Sequence, residues 1–331
     1  DQPGTRHGFL CKRGGVFDAH VKEAAGAEIG SLFFLDYFPD RRGRFHRLRA
    51  AARIAELAPA FDKILFHWLD DKALLSLAYG EVARKSAWSL WGGDLYGFRT
   101  KKNRKAKDYL SEILKHCLVR RLRQICSLLG TDYELAVKWY GANATWRQAF
   151  YPSELSMTAA PGAGRKKEGG HLVIQVGNSA NPTNRHLEVF EALSKVDFIE
   201  RIICPLSYGD FSYARKITEA GTRLFGKKFL PLADFIAPPE YAKMLSSVDA
   251  AVMNHDRQQA VGNIALNLLH GNRVFLRKTV TTYGFFESLG ADVFPTENLL
   301  ADPASALRAP RVADPRESAL AVQAFFSDEH C

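Results

Sequence analysis

The sequence predicts an α/β protein with two Rossmann-like lobes that face a cleft. The chain has 331 residues, which exceeds the ~250–300 residues that a single hydrophobic core usually organises. Short apolar runs alternate with helical patterns in both halves, which is typical of parallel βαβ units. Between the halves, residues 158–170 read TAAPGAGRKKEGG, a composition typical of a linker.

The individual elements follow from local patterns. In the first half, strands are predicted at 9–11, 32–35, 64–68 and 87–90, and helices at 46–58 and 71–84. In the second half, strands are predicted at 171–176, 199–204, 250–253 and 274–276, with a short apolar segment at 229–231 and helices near 184–195, 210–220, 238–247 and 259–270. A last helix is predicted at 317–326. We therefore expect lobes over 1–160 and 161–308, and a C-terminal segment over 309–331 that packs back across the lobes.

Composition and missing motifs argue against several classes of protein. A hydrophobic content of 47% with 24% charged residues is ordinary for a globular protein, and no apolar run approaches the ~18–20 residues of a membrane span. Five dispersed cysteines without a C-x-x-C pair indicate reduced thiols, neither a disulfide framework nor a zinc site. The sequence has no G-x-G-x-x-G turn of a dehydrogenase, no G-x-x-x-x-G-K-[ST] phosphate loop and no D-x-D motif of metal-dependent sugar transfer. A periplasmic binding protein would be expected to carry a signal peptide, and no such pattern is seen. A two-lobed glycosyltransferase of the GT-B type fits what remains.

Positive charge is concentrated in one segment of the first half. Between Arg99 and Arg123, ten basic residues stand against Asp108 and Glu112, and ten minus two is +8, beside +9 for the whole chain. The same region carries apolar residues at helical spacing, for which ordinary core packing is the simplest explanation: Leu110, Ile113, Leu114, Cys117, Leu118, Leu122 and Ile125. The charge indicates a solvated surface, an anionic lipid surface or nucleic acid. Nucleic acid is the least favoured, because no helix-turn-helix, zinc or RNA-binding signature accompanies it.

Polar residues follow the second-half strands, at the edge where open α/β sheets bind ligands. The loop GNSANPTNRH offers Asn178 and Ser179, although the same residues also cap helices. The loop PLSYGD offers Ser207 and Tyr208, although it also has common turn chemistry. The loop PLADFIAPPEY offers Tyr241 to a flat base, or begins a helix with a hydrophobic staple.

The fourth loop, NHDRQQAVGNI, is the most polar. Asp256 followed by Gln259 resembles a capping box for a helix. Capping leaves Asn254, His255, Arg257, Gln258 and Asn263 without a role. An arginine just ahead of a helix N-terminus is unusual, because that end of a helix attracts anions. A bound diphosphate would reconcile the arginine with the helix, since both would bind it.

Four segments together resemble one known family. WSLWGGDLY, VGNSANPTNRH, PLSYGD and RQQAVGNI occur in the same order and at similar spacing as in the TDP-N-acetylfucosamine:lipid II N-acetylfucosaminyltransferases of enterobacterial common antigen synthesis, glycosyltransferase family 56. The resemblance extends over residues 61–294. It implies a GT-B enzyme without a cofactor that uses a TDP-sugar donor and an undecaprenyl-diphosphate-linked acceptor at the cytoplasmic face of the inner membrane. Members of the family begin with a strand and a polar loop, and HGFLCKRGG resembles the second strand, so we expect the first strand to be missing from this sequence.

On this resemblance the C-terminal lobe binds the donor and the N-terminal lobe faces the acceptor and the membrane. The loops and the resemblance together give these candidate donor contacts: Gly177, Asn178, Ser179, Ser207, Tyr208, Tyr241, Arg257, Gln258, Gln259, Gly262 and Asn263. The candidate membrane-binding residues are Lys101, Lys102, Arg104, Lys105, Lys107, Arg120, Arg121 and Arg123. No metal site is expected.

Sugar transfer requires stabilisation of charge on the departing diphosphate, and we assign this role to Arg257. If the enzyme inverts, a base must also accept the proton of the acceptor hydroxyl. Asp94 is the best-placed candidate base, His67 is the next and Asp70 the third. Structural roles compete with these, since Asp94 suits a turn cap and His67 suits a buried core position. Two other functions remain open: a nucleotide-sugar epimerase of GT-B architecture, and a basic anion-binding protein without catalysis.

Overall fold

The computed structural model describes residues 45–149, 170–311 and 313–326, and all structural statements below concern these residues. The strands are β1 (Ile64–Phe66), β2 (Ser86–Ser89), β3 (Gln124–Ser127), β4 (Thr145–Gln148), β5 (Leu172–Val176), β6 (Ile199–Pro205), β7 (Phe229–Leu232), β8 (Ala250–Met253), β9 (Arg273–Leu276) and β10 (Val293–Pro295). The helices of the first half are α1 (His46–Leu57), α2 (Asp71–Ser76), α3 (Gly80–Lys85), α4 (Gly93–Thr100), α5 (Ala106–Val119) and α6 (Gly130–Tyr140). Those of the second half are α7 (His186–Leu193), α8 (Phe211–Phe225), α9 (Pro238–Leu245), α10 (Val261–Leu269), α11 (Thr281–Ser288), α12 (Thr296–Ala301), α13 (Pro303–Arg308) and α14 (Pro315–Phe325).

The strands form two sheets. The first has the order β1-β2-β3-β4, and the second has the order β10-β9-β8-β5-β6-β7. Every strand pairing in the second sheet is parallel. Strand order reverses beside β5, which is where doubly wound sheets bind ligands.

The chain forms two compact units that interleave along the sequence. Within the described residues, the first comprises 45–89, 105–125 and 136–146, and the second comprises 90–104, 126–135, 147–149, 170–311 and 313–326. The segment that carries Asp94 and the start of α6 therefore belong to the same unit as the six-stranded sheet. The predicted boundary near residue 160 falls outside the described residues.

The core of the second unit lies on both faces of its sheet. Successive strand residues point to opposite faces, so Ile174 and Val252 pack into one cluster with α7 and α8, and Val173 and Ala251 pack into the other with α10. The strand sequences LVIQV and AAVM are buried almost throughout, as expected for central parallel strands covered by helices. Helix α14 packs against α10, with Val322 in the second cluster.

The alternation predicted for the second half is confirmed, and the predicted strand 250–253 coincides with β8. The prediction of one helix over 71–84 was wrong, because the chain turns after Ser76 and begins α3 at Gly80. Strands β3, β4 and β10 were not predicted; the sequences of β3 and β4, QICS and TWRQ, contain no apolar run longer than two residues. The strands predicted at 9–11 and 32–35 and the linker up to residue 169 lie outside the described residues.

The core-packing interpretation of the apolar face of α5 is confirmed for part of the segment and wrong for the rest. Leu122 and Ile125 are buried but lie beyond the end of the helix at Val119, and Leu114 and Leu118 are half-buried. Leu110, Ile113 and Cys117 are exposed instead, while Lys115 of the same helix is buried.

Candidate functional site

The loops that follow β5, β6 and β8 meet at the carboxyl edge of the six-stranded sheet. The Ala180 amide donates to the Tyr208 carbonyl at 2.8 Å, and the Asp210 amide donates to the Ala180 carbonyl at 2.9 Å. The close approach requires Gly209, whose φ is +118° and where a Cβ would lie 2.7 Å from the Ala180 backbone. The third loop joins through the Asp256 amide, which donates to the Thr183 carbonyl at 2.9 Å.

Asn178 connects the three loops through its side chain and backbone. Its Nδ2 donates to the Tyr208 hydroxyl at 2.7 Å, and its Oδ1 accepts from Gln259 Nε2 at 3.0 Å. Its backbone amide donates to Asn184 Oδ1 at 3.0 Å. Gln259 Oε1 accepts from the Thr183 hydroxyl at 2.7 Å. Three predicted donor contacts, Asn178, Tyr208 and Gln259, are thus in one hydrogen-bond network.

Gly177, Ser179 and Ser207 lie in the same loops. Gly177 has φ +69°, and a Cβ there would lie 2.8 Å from Asn184 Oδ1, so it makes room for that side chain. Ser179 is buried, and its hydroxyl accepts from Asn184 Nδ2 at 3.3 Å. Ser207 is half-buried. Asn184, which sequence reasoning did not single out, therefore organises the loop from within.

Two polar side chains of the fourth loop, Asn254 and Asp256, bond to other parts of the protein. Asn254 Nδ2 donates to Glu188 Oε2 at 3.2 Å, and its Oδ1 accepts from Arg277 Nε at 2.7 Å. Arg185 Nη1 donates to Asp256 Oδ1 at 3.1 Å. Sequence reasoning missed Glu188, Arg277 and Arg185, because they lie on other elements and carry no local signal.

Buried histidines support the same loops. His255 Nε2 lies 3.0 Å from Asn184 Oδ1, and His186 Nδ1 lies 3.2 Å from the Tyr213 hydroxyl. Burial lowers the pKa of both imidazoles, that of His186 to about 3. Both rings are therefore neutral at physiological pH, and they add no positive charge to the site.

The predicted capping box at α10 was wrong. The helix begins at Val261 after Ala260, which has φ +60°, and its N-terminus has no side-chain cap. Asp256 lies too far ahead and binds Arg185, while Gln259 points toward Asn178. The first amides of α10 are consequently not bonded by a capping side chain.

Arg257 lies just ahead of this uncapped helix end. Its Nη1 donates to the Gln258 carbonyl at 2.9 Å. Burial lowers the pKa of the guanidinium, and Asp94, Tyr208 and Tyr96 counteract this electrostatically. A half-buried cation a few residues ahead of a helix start without a side-chain cap is a combination that suits an anion.

Gly262 and Asn263 lie in the first turn of α10 and are half-buried. Asn263 Oδ1 accepts from the Tyr241 hydroxyl at 2.5 Å, and that hydroxyl accepts from Gln175 Nε2 at 3.2 Å. Burial raises the pKa of Tyr241. Tyr241 and Asn263 therefore hold α9 against α10, with the tyrosine hydroxyl engaged inside the protein.

The WGGD segment lies against the fourth loop within the second unit. A Cβ at Gly92, where φ is +72°, would overlap Gln258 and lie 3.4 Å from Arg257 Nη1. Asp94 is buried, and its Oδ1 accepts from the amides of Trp91 and Leu95, each at 3.1 Å. Asp94 thus stabilises the turn that the glycines form. This contact supports a structural role for Asp94, and the catalytic role stays a prediction.

A carboxylate that sequence reasoning missed lies behind this turn. Asp132 Oδ1 accepts from the hydroxyls of Tyr96 at 2.8 Å and Thr281 at 2.9 Å. Burial raises the pKa of Asp132 to about 6, and the charge of Asp94 adds to this. The cluster ties α4, α6 and α11 together.

His67 and Asp70 belong to the first unit. His67 is exposed just after β1, so its reading as a core histidine was wrong; partial burial lowers its pKa. Asp70 Oδ1 accepts from the amides of Lys72 and Ala73, each at 3.0 Å, and so caps α2.

The candidate membrane-binding residues are all exposed. Arg104 donates to the carbonyls of Phe98 and Arg99, Arg120 to that of Tyr140, and Arg121 to that of Ala78. None of the described helices is both long and apolar enough to span a membrane. Within the described ranges, no group of three or more His, Cys, Asp or Glu is arranged to hold a metal ion.

Residues 34–285 match the 4-alpha-L-fucosyltransferase family, glycosyl transferase group 56. The chain belongs to this family. The match spans all four motifs and most of the chain, and it identifies the protein as a glycosyltransferase. Membership of the family implies a nucleotide-sugar donor and a glycan acceptor.

Solved structures show the same fold. HepE of Anabaena, in complex with UDP and glucose, has a TM-score of 0.64 at 16% identity, over 97% of this chain and 86% of that one. Sucrose-phosphate synthase of Thermosynechococcus elongatus has a TM-score of 0.64 at 13% identity, over 90% and 79%. Trehalose 6-phosphate synthase of Burkholderia multivorans has a TM-score of 0.60 at 13% identity, over 87% and 73%. The fold of this family member is GT-B, as predicted.

Proposed function

We propose that this glycosyltransferase moves 4-acetamido-4,6-dideoxygalactose from a TDP-sugar to a polyprenyl-diphosphate-linked saccharide, in the synthesis of enterobacterial common antigen or a related surface polysaccharide. The family supports sugar transfer. The four motifs, by their resemblance, support the TDP donor and the lipid-linked acceptor. The enzyme would act without a metal ion, at the cytoplasmic face of the inner membrane.

The observation that carries the proposal is that Arg257 precedes, by four residues, a start of α10 that has no side-chain cap. Arg257 is half-buried, and the helix has no side-chain cap. Gly262 has no side chain to obstruct the first turn. A diphosphate would bind the guanidinium and the helix amides together, because both favour negative charge.

The rest of the donor would extend over the neighbouring loops. Tyr208 is 54% exposed although its hydroxyl is bound to Asn178. The ring is thus held in place and offers a flat apolar face for a base or a sugar. Gln259 holds the Asn178 side chain, which in turn bonds the Tyr208 hydroxyl. In the proposal, Asn178 and Gln259 therefore orient this tyrosine.

In the transfer step, the bond between the sugar anomeric carbon and the diphosphate breaks as the acceptor hydroxyl attacks. Arg257 would stabilise the charge that develops on the TDP leaving group. The acceptor proton would pass to a base, either Asp94 or His67. Since its pKa is lowered, His67 is neutral at physiological pH and able to accept a proton.

Calorimetry with TDP, UDP, GDP and NAD tests the proposal at the donor site. We expect TDP to bind best, and Arg257→Ala to weaken TDP binding at least tenfold without a loss of thermal stability. Arg223→Ala, at an exposed position of the same unit, is the matched control and should bind TDP normally. Unchanged TDP affinity in Arg257→Ala would reject this site.

A transfer assay distinguishes the proposal from an epimerase. A transferase consumes TDP-sugar only when a lipid-linked saccharide is present. Conversion of the TDP-sugar to its epimer without acceptor would favour the epimerase, and binding without any turnover would favour an anion-binding protein.

A further inference from the structure

Helix α5 presents its apolar stripe to the outside. Leu110 and Ile113 are each 60% exposed, and Cys117 is also exposed. These positions recur at spacings of three and four residues, so they lie on one side of the helix. On the opposite side Lys115 is only 8% exposed and Val119 is fully buried. The helix therefore turns Leu110, Ile113 and Cys117, here called the apolar stripe, toward solvent, while Leu114 and Leu118 beside the stripe are half-buried.

Specific contacts of the inner face hold this orientation. The Lys115 ammonium lies 4.7 Å from the ring centre of Tyr140 and 5.1 Å from that of Trp88. The Tyr140 hydroxyl donates to Glu112 at 3.1 Å, and the Ser111 hydroxyl donates to Asp71 at 2.9 Å. Rotating the apolar side inward would break these bonds and cation–π contacts.

Basic residues border the stripe. At 100° per residue, Lys107 lies beside Leu110 on one border and Arg120, whose backbone is still helical, lies on the other. Lys105 and Arg121 are exposed at the two ends of the helix. The acidic side chains of α5 have internal partners: Asp108 accepts from the Lys105 amide, and Glu112 from Tyr140.

We propose that α5 docks on an anionic lipid bilayer, with Leu110, Ile113 and Cys117 inserted among the lipids. An apolar stripe between basic borders is the pattern of helices that lie in a membrane interface, where the stem of each lysine follows the apolar surface and its charge meets the headgroups. Nucleic acid would bind the basic borders but would leave the apolar stripe exposed to water. A second copy of this chain would bring like-charged borders together. This docking rests on the proposed function, because an enzyme whose acceptor is linked to a membrane lipid must reach the membrane surface.

Vesicle flotation tests the docking. The probes are phosphatidylcholine vesicles with and without about a third phosphatidylglycerol. The salt concentration is 0.1 M, at which the Debye screening length is about 10 Å. The wild-type chain should float with the anionic vesicles. The double variant Leu110→Gln/Ile113→Gln should lose at least tenfold in partitioning, and Lys105→Gln/Lys107→Gln should lose binding and its salt dependence.

Matched controls replace exposed residues elsewhere. Leu48→Gln/Leu320→Gln and Lys216→Gln/Lys228→Gln change side chains exposed on other helices or at helix ends, and both should float like wild type. Calorimetry with TDP on the same variants should give unchanged affinities. Loss of flotation with intact TDP binding supports the docking helix independently of the donor site.

Three results would overturn the inference: no flotation of the wild-type chain, equal flotation of the Leu110→Gln/Ile113→Gln variant, or a change of that variant from dimer to monomer on a sizing column. The last would make the stripe an interface between copies. Failure here with intact TDP binding leaves the proposed donor site standing.

Discussion

Gly92 and Gln258 are in direct contact, so two segments that lie 166 residues apart in sequence form one surface. Gly92 has φ +72°, and a Cβ there would overlap both the side chain and the carbonyl of Gln258. That carbonyl accepts the hydrogen bond of Arg257. The WGGD and RQQ motifs are thereby coupled through backbone packing.

Gly92→Ala should therefore disturb the Arg257 region. The positive φ and the overlap together should cost about 2 kcal/mol or more in free energy of unfolding, and TDP affinity should fall with it. Urea unfolding and calorimetry measure the two effects. Gly97→Ala is the matched control: Gly97 lies in α4, the helix that Gly92 precedes, with open space around it, and the substitution should be neutral or slightly stabilising. Equal stability of the two variants would contradict the contact.

Asp94→Asn should separate the structural from the catalytic role of Asp94. The amide oxygen still accepts from the Trp91 and Leu95 amides, so the turn and donor binding should persist. If Asp94 is the base, transfer should fall at least 100-fold, within the ~10²–10⁴-fold range of base catalysis. Initial rates with saturating donor measure this. Near-normal turnover would leave Asp94 a turn residue and make His67→Ala the next variant to assay.

Asn184→Ala should destabilise the second unit. The buried side chain of Asn184 bonds the Asn178 amide, the carbonyls of Ser179 and Asn181, and His255. Leaving these groups unsatisfied should cost roughly 2–4 kcal/mol. Asn298→Ala, at an exposed position, should change stability by less than about 0.5 kcal/mol. Denaturant midpoints compare the two, and similar midpoints would argue against the network.

Asp132 should make stability depend on pH. Its folded pKa of about 6 lies above its ordinary value of 3.8, so the folded chain holds a proton that the unfolded chain has already lost between these values. Stability from this group is therefore present below pH ~4 and is lost as pH rises through about 6, by up to roughly 3 kcal/mol.

Asp132→Asn removes this titration and keeps an acceptor for the hydroxyls of Tyr96 and Thr281. Melting temperatures from pH 4 to pH 8 should show the variant gaining on wild type as pH rises through about 6. The charges of Asp94, which acts on Asp132, and of Arg257, which acts on Tyr96, are the same in both proteins. Parallel curves would show that Asp132 does not titrate in this range.

Local patterns were sufficient to predict most of the second unit. Strands such as β8 are uninterrupted buried apolar runs, and the intervening helices have regular apolar spacing, so each is visible in its own residues. The loops at the carboxyl edge were predictable for the same reason, because parallel strands place their ends together. Strands β3 and β4 of the first half, QICS and TWRQ, lack this signal.

Side-chain partners were not predictable in the same way. Helix capping left Asn254 without a role, but its side chain bonds Glu188, 66 residues away, and Arg277, 23 residues away. Such bonds depend on how the elements pack, and no spacing within one loop encodes them.

By itself the sequence determined the α/β alternation, the family motifs, the basic segment and the existence of an apolar stripe on α5, because these are properties of neighbouring residues. Only the tertiary structure decided that Gln259 turns inward, that α10 starts uncapped, and that the stripe faces outward. The physical reason is that periodicity defines two sides of a helix, whereas the groups packed against it, here Trp88 and Tyr140 around Lys115, determine which side is buried.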